Sequence, residues 1–281
     1  MKNFKLGVLL ESFKMPARDA IEMASSLGLD GVQIFATTGE FAPQNMTKDK
    51  KAELLSMLGY GGLEISALCG DFGMGFGDRE KNAELIEKSK RVIDLAKELG
   101  TDIVTTHIGV VPSDPNHDRY KVMREACAKL AEYADKLDAH FAVETGPETS
   151  AVLKAFLDSL NSTGVAVNLD PANLVMVTGD NPVTAVDNLS KYIVHTHAKD
   201  GIKLVDCNPE YIYKVTHPMP EEFKNQMLFK ELPLGEGNVP FKEYLEALEK
   251  IGYSGYLTIE REVGENPAKD IKTAVEFLRT I

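Results

Sequence analysis

Ser-Leu-Gly-Leu-Asp-Gly-Val-Gln-Ile, at residues 26–34, is a phrase that the chain repeats in altered form. It recurs as Met-Leu-Gly-Tyr-Gly-Gly-Leu-Glu-Ile at 57–65, as Glu-Leu-Gly-Thr-Asp-Ile-Val-Thr-Thr at 98–106 and as Lys-Ile-Gly-Tyr-Ser-Gly-Tyr-Leu-Thr-Ile at 250–259. In each copy an apolar residue ends a helical pattern, a glycine suits the left-handed cap, and a β-rich run follows. The phrase therefore predicts the joint between a helix and the next strand of a repeated βα unit.

Amphipathic helices are predicted before these joints. In 84–99, apolar residues recur at three- and four-residue steps and charged residues occupy the other face, which is helical spacing. Similar patterns lie at about 16–27, 47–58, 118–137, 149–160, 240–251 and 267–279. Candidate strands lie at about 4–10, 31–35, 63–68, 102–107, 140–144, 164–169, 192–197 and 255–260. Most of these are continuous apolar runs, as expected for strands buried on both faces.

Eight predicted strands alternating with helices indicate an α/β protein, a single (β/α)8 TIM barrel over residues 1–281. The structural alternative, a doubly wound open sheet, usually has a glycine-rich phosphate loop after its first strand. Here the first strand continues into Leu10-Glu11-Ser12-Phe13, which is not such a loop. The connection between the seventh strand and its helix, at about 198–239, shows no clear strand, and its aromatic residues favour an ordered lid. An insertion packed on the barrel rim is the alternative.

The composition excludes several classes of function. Across 281 residues, 31 Lys and Arg against 43 Asp and Glu leave a formal net charge of −12, which repels nucleic-acid phosphates. Hydrophobic residues make up 43% of the chain, enough for a packed core. Three unclustered cysteines, Cys69, Cys127 and Cys207, argue against a disulfide framework. Neither a membrane-spanning apolar run nor a signal-peptide pattern is visible, so we expect a cytoplasmic protein without nucleic-acid or membrane partners.

Ionisable residues end most of the predicted strands. In a barrel of parallel strands the carboxyl ends form the active-site face. Burying unpaired charge is costly, so a purely structural barrel does not need such a series. The series consists of Glu11, Asp71, His107, Glu144, Asp170, His195, His197 and Glu260.

Four of these residues, Glu144, Asp170, His197 and Glu260, form an oxygen-rich set with one imidazole. Three carboxylates at short range would raise each other's pKa, and a divalent cation removes that repulsion. Ligands of this type suit Mn²⁺, Mg²⁺ or Co²⁺ and also allow Zn²⁺. We therefore expect one divalent metal ion as cofactor, which would polarise adjacent hydroxyl and carbonyl oxygens of a substrate.

Five phrases carry a resemblance to a known family. They are Val-Glu-Thr-Gly (143–146), Asn-Leu-Asp-Pro-Ala-Asn (168–173), His-Thr-His-Ala-Lys-Asp (195–200), Leu-Gly-Glu-Gly-Asn-Val-Pro-Phe (234–241) and Thr-Ile-Glu-Arg-Glu (258–262). With them, essentially the whole chain resembles the xylose-isomerase-like TIM-barrel superfamily. Its members include sugar-phosphate isomerase/epimerase-type proteins, ketose 3-epimerases, hydroxypyruvate isomerase, inosose dehydratase and endonuclease IV.

The ketose 3-epimerase branch binds one divalent metal through a Glu, an Asp, a His and a Glu at the ends of strands five to eight. The resemblance implies that these ligands are Glu144, Asp170, His197 and Glu260 in this chain. It also implies that Glu144 and Glu260 are the catalytic acid/base pair, one on each face of the substrate carbon.

Three positions depart from that branch. Asn173 replaces a His three residues after the metal Asp, and Ser150 replaces a substrate-binding Glu six residues after the first metal Glu. Lys203 replaces an Arg six residues after the metal His. The predicted metal ligands are therefore intact while the sugar-contacting residues differ. Metal-assisted proton transfer is still implied, whereas ketohexose 3-epimerisation itself is not.

Six residues around this set are candidates for substrate binding, and for four of them, His107, Asp71, Lys199 and Asp200, a structural role is the alternative. His107 ends the predicted fourth strand, where a hydrogen-bonded core histidine is the alternative. Asp71 lies in the glycine-rich segment 69–77, which is either a mobile loop at the barrel mouth or a plain turn. The full set is His107, Asn173, Asp200, Lys199, Lys203 and Asp71.

The other histidines are not expected to take part in the reaction. His195 lies two residues before the predicted ligand and therefore deeper on the same side of its strand, as a barrel histidine or a partner of a ligand. His140 begins a strand, at the end opposite the site, and His117 and His217 are expected at the surface.

These patterns predict an enzyme, a metal-dependent isomerase or epimerase of a small sugar, sugar acid or cyclitol. One of Glu144 and Glu260 would take a proton next to a carbonyl, giving an enediolate, and the other would return it. A lyase or dehydratase on a keto-sugar or cyclitol would begin with the same step, so both stay open. A non-catalytic sugar-binding barrel is a further alternative, whereas abasic-site DNA cleavage needs more metal ligands. The expected partner is a small carbohydrate, and the sequence leaves open whether the chain forms a homo-oligomer.

Overall fold

The computed structural model, which describes residues 4–215 and 218–281, contains eight parallel strands that close into a barrel. Each strand pairs with its neighbours in chain order, and the last pairs with the first, where Ile259 lies opposite Val8. The predicted single (β/α)8 barrel is therefore confirmed. The strands are β1 (Lys5–Leu9), β2 (Gly31–Phe35), β3 (Glu64–Cys69), β4 (Ile103–Thr106), β5 (His140–Glu144), β6 (Val165–Leu169), β7 (Ile193–Ala198) and β8 (Tyr256–Ile259).

Helices follow the strands on the outside of the barrel. They are α1 (Ala17–Ser26), α2 (Lys48–Tyr60), α3 (Arg79–Leu99), α4 (Asp118–Lys136), α5 (Ser150–Asp158), α6 (Pro182–Leu189), α7 (Phe241–Lys250) and α8 (Pro267–Thr280). Shorter helical turns are Leu10–Phe13, Gly39–Phe41, Pro43–Asn45, Pro171–Asn173, Leu174–Thr178 and Pro209–Ile212. Within the described ranges, no helix combines the length and the apolar character needed to cross a lipid bilayer.

Helix α6 is absent from the sequence-based predictions. Its start signals are present, however, because Asn181 accepts hydrogen bonds from the N–H groups of Val183 and Thr184, and Pro182 occupies the first turn. The helix has eight residues, about two turns, and its buried residues Pro182, Ala185, Val186 and Leu189 recur at helical spacing. The cap and this spacing were the signals that could have located it.

The repeated joints have the predicted geometry at Gly28, Gly100 and Gly252, whose φ angles are +65°, +84° and +79°. The copy at 57–65 differs, because α2 continues through Gly59 to Tyr60. There Gly62 takes the left-handed conformation, with a φ of +69°. This copy has three glycines within four residues, so the helix continues one residue past the first of them and the left-handed residue is the last.

The connection between β7 and α7 contains strands, which corrects the prediction of none. Asp200–Lys203 and Phe229–Leu232 pair antiparallel, with Asp200 opposite Leu232, and we call this pair the rim hairpin. Each strand has four residues, and the two are joined by 204–228 rather than by a tight turn. The sequence therefore shows neither a long alternation of apolar and polar residues nor a hairpin-turn motif that would predict them. His217, predicted at the surface, lies outside the described residues.

The barrel interior becomes polar toward the carboxyl ends of the strands. All five residues of β6, Val165–Leu169, are buried, and so are most residues of β5 and β7. Among these buried residues are Asn168 and His195, each fully enclosed. Buried polar groups need hydrogen-bond partners, and they find them in the cluster described next.

Candidate metal centre and active site

The four predicted ligands meet at the carboxyl ends of β5 to β8. Glu144 ends β5, Asp170 follows β6, His197 lies near the end of β7, and Glu260 follows β8. One ligand atom of each residue lies within 4.8 Å of those of the others. Barrel closure thus brings together side chains that are far apart in the chain, and they form a group that could hold one metal ion.

The imidazole of His197 faces the three carboxylates through one nitrogen. Its Nδ1 lies 3.2 Å from Glu260 Oε2, 3.4 Å from Asp170 Oδ2 and 3.7 Å from Glu144 Oε1. Burial alone would lower the pKa of His197, but the carboxylates of Glu260 and Glu144 outweigh it and raise this pKa well above its usual value. Burial also raises the pKa of Asp170. Three carboxylates around one imidazole nitrogen are an arrangement that a divalent cation neutralises.

Gln33, in the otherwise apolar strand β2, contacts the other nitrogen of the same ring. Its Oε1 lies 3.1 Å from His197 Nε2, and its Nε2 donates to Thr105 Oγ1 over 3.1 Å. If Nε2–H of His197 donates to Gln33, the lone pair of Nδ1 points toward the carboxylates, as a metal ligand requires. Sequence reasoning missed Gln33, although an amide inside an apolar strand was a usable signal.

Two amides hold the carboxylate of Glu144. Asn173 Nδ2 donates to its Oε1 over 2.8 Å, and Asn168 Nδ2 donates to its Oε2 over 3.3 Å. Asn173 is placed there because Asp170 caps the turn Pro171–Asn173 and accepts from the N–H of Asn173 over 2.8 Å. The structure therefore brings Asn173, a predicted substrate residue, into contact with Glu144.

His107 and Asp71 form a second pair beside Glu144. His107 Nδ1 lies 3.1 Å from Asp71 Oδ2, and its Nε2 lies 3.7 Å from Glu144 Oε1. Burial would lower the pKa of His107, but Glu144 and Asp71 together raise it to about 9. For Asp71 burial acts in the opposite direction and would raise the pKa, but the contact with His107 lowers it below its usual value. Both predicted substrate residues thus lie at the cluster.

Lys199 is buried against the Glu260 side of the cluster. Its Nζ donates to Glu260 Oε2 over 3.0 Å and also contacts Glu262, a residue that the sequence predictions did not single out. Burial would lower the pKa of Lys199, but Glu260 and Asp170 raise it well above its usual value. Burial would raise the pKa of Glu260, but Lys199 and His197 hold it well below its usual value. Glu260 is therefore ionised.

Asp200 and Lys203, also predicted to bind substrate, do not line the cavity beside the cluster. The Asp200 carboxylate accepts from three N–H groups of the turn 235–239, over 3.0, 2.9 and 3.1 Å. Lys203 Nζ instead pairs with Asp206 at 2.6 Å. The chain leaves the barrel after Lys199 and enters the rim hairpin, so positions counted onward from His197 no longer point at the site.

The described histidines outside the cluster are His195, inside the barrel below His197, and His140 and His117, away from the cluster. His195 Nδ1 lies 2.8 Å from Asn168 Oδ1, and its Nε2 lies 2.9 Å from Thr258 Oγ1. Burial holds its pKa well below the usual value, so this ring is neutral. His140 begins β5, away from the cluster, and His117 caps the start of α4.

A cavity of about 720 Å³ adjoins the cluster. Glu144, Glu260, His107, Asp71 and Lys199 contribute polar groups to it. The volume is within the range of small-molecule sites. Its other walls are largely apolar, with Met176, Val177, Ile212, Tyr213, Met227 and Phe229 among the lining residues.

Curated relatives match this chain at low identity. Over 211 residues it is 24% identical to an uncharacterised protein of Methanocaldococcus jannaschii, a match that covers 70% of this chain and 63% of that protein. Over 130 residues it is 28% identical to inosose dehydratase of Lacticaseibacillus casei, which covers 46% of this chain and 41% of that enzyme. The matches therefore span less than two thirds of the length of these relatives.

Solved structures match over nearly the whole chain. A xylose isomerase domain protein from Planctomyces limnophilus has a TM-score of 0.78 and 25% identity, covering 99% of this chain and 96% of that one. The 3-keto-D-glucoside 4-epimerase of E. coli has a TM-score of 0.73 at 18% identity, covering 99% and 100%, a likeness of fold alone. The family model described as xylose isomerase-like TIM barrel matches residues 21–281. Because this model matches most of its length, the chain belongs to the xylose isomerase-like TIM-barrel family.

Proposed function

We propose that this protein is a divalent-metal-dependent isomerase or epimerase of a small sugar, sugar acid or cyclitol. The observation that carries the proposal is the convergence of Glu144, Asp170, His197 and Glu260 within 4.8 Å beside a cavity of about 720 Å³. The family's epimerases and dehydratase are consistent with a small carbohydrate substrate. A cytoplasmic location, a lid role for 198–239 and a homo-oligomer stay predictions.

The same four residues would hold the metal, for which their carboxylate oxygens and one imidazole fit Mn²⁺, Mg²⁺ or Co²⁺ and also allow Zn²⁺. When bound, the ion supplies a positive charge that polarises substrate oxygens and lowers the pKa of the neighbouring carbon acid. Gln33 would keep the His197 ring in the ligating orientation.

Glu144 and Glu260 would act as the acid and base on the substrate carbon. Glu260 would accept the proton, because Lys199 and His197 keep it ionised against the cost of burial and the carbon would be acidified by the bound metal. Glu144 would deliver or receive the second proton, with its carboxylate oriented by Asn173 and Asn168. A positioned carboxylate pair of this kind contributes general acid–base catalysis.

His107 and Lys199 would bind the substrate's oxygens. Both line the cavity, and both have pKa values raised by neighbouring carboxylates, His107 to about 9. Each is therefore a cationic hydrogen-bond donor near neutral pH. Asp71 would orient the His107 ring through the 3.1 Å contact with Nδ1.

Solvent-deuterium exchange tests the acid/base assignment. Sugars, sugar acids and cyclitols would be incubated with metal-loaded protein in deuterated water and read by NMR and mass. We expect exchange at the carbon next to the carbonyl, and its loss in Glu144→Gln and Glu260→Gln. Glu236→Gln, at an exposed turn position, is the matched control. Normal exchange in both active-site variants would contradict the assignment.

A dehydratase or lyase is the second candidate, favoured by the 28% identity to inosose dehydratase over 130 residues. It would start with the same proton abstraction and then expel a leaving group from the neighbouring carbon. Product mass separates the two, because an isomerase conserves the mass of its substrate. Metal binding without exchange on any substrate would favour a non-catalytic sugar-binding barrel.

A further inference from the structure

The cavity beside the cluster changes character from its floor to its mouth. Charged groups occupy the floor, where Glu144 and Glu260 lie. Along one wall the apolar residues become progressively more exposed: Met176 is buried, Phe229 is half-buried, and Met227 at the mouth is 64% exposed. We call this wall the apolar wall; it consists of Met176, Val177, Ile212, Tyr213, Met227 and Phe229.

The exposed end of the apolar wall indicates a binding surface. Val263, which follows β8 and also lines the cavity, is 49% exposed. Met227 and Val263, both exposed, line the same concave site as the half-buried apolar residues, and apolar exposure of this kind in a cavity is typical of a ligand-binding site. Methionine and aromatic side chains favour aromatic ligands through sulfur–ring and ring–ring contacts.

The cavity is also larger than one sugar ring requires. Since water occupies about 30 Å³ per molecule in the liquid, a volume of 720 Å³ corresponds to about two dozen water molecules. A hexose contacting the polar floor displaces about six such water volumes, which is about a quarter of that space. Part of the remainder lies along the apolar wall, while Lys230 and Glu262 line the cavity elsewhere, so a ligand that fills the cavity is polar at the floor and apolar on the side that faces this wall.

We propose that the substrate is a sugar conjugate, a keto-sugar or cyclitol that carries an aromatic group, and that the apolar wall binds this group. The inference rests on the proposed function of the same site, because the sugar end would be the part that reacts at Glu144 and Glu260. The aromatic ring would pack between Phe229, Met227 and Tyr213, all supplied by the connection after β7.

A phosphate group is a poorer occupant of this end. Arg261 of the lining is held by Glu231 and Asp270, and Lys199, proposed above to bind the sugar, lies at the floor against Glu260 and Glu262 rather than at the mouth. Among the described lining residues, Lys230 is the one other lysine or arginine. A single exposed lysine is weak recognition for a dianion, whereas the apolar wall continues to the mouth.

Binding of matched ligands tests the inference without requiring turnover. The probes are the methyl and phenyl glycosides of glucose, in both anomers, and their 3-keto derivatives, titrated calorimetrically into Mn²⁺-loaded protein. We expect the phenyl ligand to bind about tenfold more tightly than the methyl ligand of the same sugar. Met227→Ser combined with Phe229→Ala should bring this ratio close to one, whereas Leu55→Ser, an exposed apolar control on α2, should leave it unchanged.

Three outcomes would overturn the inference. One is a phenyl-to-methyl ratio below about twofold in the unmodified protein, and another is a ratio that the double variant does not change. The third is an oligomer, detected by light scattering, that Met227→Ser dissociates while the phenyl-to-methyl ratio stays unchanged. In that case a second copy of the chain, and not a ligand, would cover the apolar wall. Deuterium exchange on the methyl 3-keto ligand tests the proposed function separately, because this ligand has no aromatic group. The proposed reaction and the proposed aromatic group can therefore be refuted independently.

Discussion

His197 is held from two sides, and this decides which of its nitrogens is offered to a metal. Nδ1 faces the carboxylates at 3.2 to 3.7 Å, and Nε2 lies 3.1 Å from Gln33 Oε1. The amide oxygen of Gln33 accepts a hydrogen bond and therefore favours a proton on Nε2, whereas the amide nitrogen of Asn168, 3.2 Å from the same atom, is a donor and favours its lone pair. The amides of residues 33 and 168 together therefore bear on which nitrogen of His197 is free to bind a metal.

Gln33→Leu should weaken metal binding by about 10- to 100-fold, because the ring loses the acceptor that orients it. Competition titration of Mn²⁺ against a chelator measures this directly. Gln44→Leu, at an exposed position, is the control. Equal affinity in the two variants would show that Gln33 does not position the ligand.

Glu148 is a buried carboxyl that the proposed mechanism does not use. Its Oε2 accepts from the N–H of Val111 over 2.9 Å, and its Oε1 has no hydrogen-bond partner among the described residues. Burial raises the pKa of Glu148 from 4.5 to about 8, against smaller opposing effects of Val111 and His107. The folded protein therefore retains a proton here that the unfolded chain releases near pH 4.5.

The free energy of unfolding should consequently fall as the pH rises from about 4.5 to about 8, by up to about 1.4 kcal/mol per pH unit from this group. Glu148→Gln, which stays neutral, should remove that slope. It should be more stable than the unmodified protein at pH 8 and similar to it at pH 4.5. Urea unfolding across this range checks the sign, and parallel pH profiles for the two proteins would refute the assignment.

At the scale of elements, Asp200 ties the rim hairpin to the turn before α7. Its carboxylate collects three N–H groups of 235–239. A Cβ on Gly237 would lie 2.1 Å from Asp200 Oδ1, so the turn approaches this closely because residue 237 is glycine. Phe229 and Met227 lie in or next to the second hairpin strand, so this link also places the apolar wall.

Asp200→Asn should destabilise the fold by about 2 kcal/mol or more, because charge-assisted hydrogen bonds to the turn are lost. A substrate-binding role would instead raise KM without changing stability. Urea unfolding and kinetics on the same sample distinguish the two results. Asp206→Asn, whose side chain is 96% exposed, is the control.

Helix α6 depends on its cap. Asn181→Ala should cost about 1 kcal/mol of unfolding free energy, because the N–H groups of Val183 and Thr184 lose their acceptor. Thermal unfolding would detect the loss, with Asn225→Ala at an exposed position as control. A loss no larger than the control's would mean that the cap does not matter.

For the whole molecule, the metal should contribute to stability as well as chemistry. An ion at 100 times its dissociation constant adds about 2.7 kcal/mol, which is several degrees of Tm in a chain of this size. Calorimetry with Mn²⁺ and with a chelator should show this difference. The double variant Glu144→Gln, Glu260→Gln should show little, and an equal shift in both proteins would place the ion elsewhere.

Local chemistry made the barrel predictable. The helix-ending glycines at Gly28, Gly100 and Gly252 and the continuous apolar strands are properties of short segments, and short segments set their own backbone conformation. Helix α6 and the rim hairpin escaped prediction because each is short and its stability comes from packing against the barrel.

The ligand candidates Glu144, Asp170, His197 and Glu260 follow from the sequence, since each ends a strand and barrel topology gathers strand ends on one face. Contacts between distant segments do not follow from it. Only the tertiary structure places Gln33 against His197, turns Asp200 and Lys203 away from the cavity, and assembles the apolar wall from the connection after β7. These contacts arise when the barrel closes and excludes water, so the sequence determines which groups are available and the packing decides which of them meet.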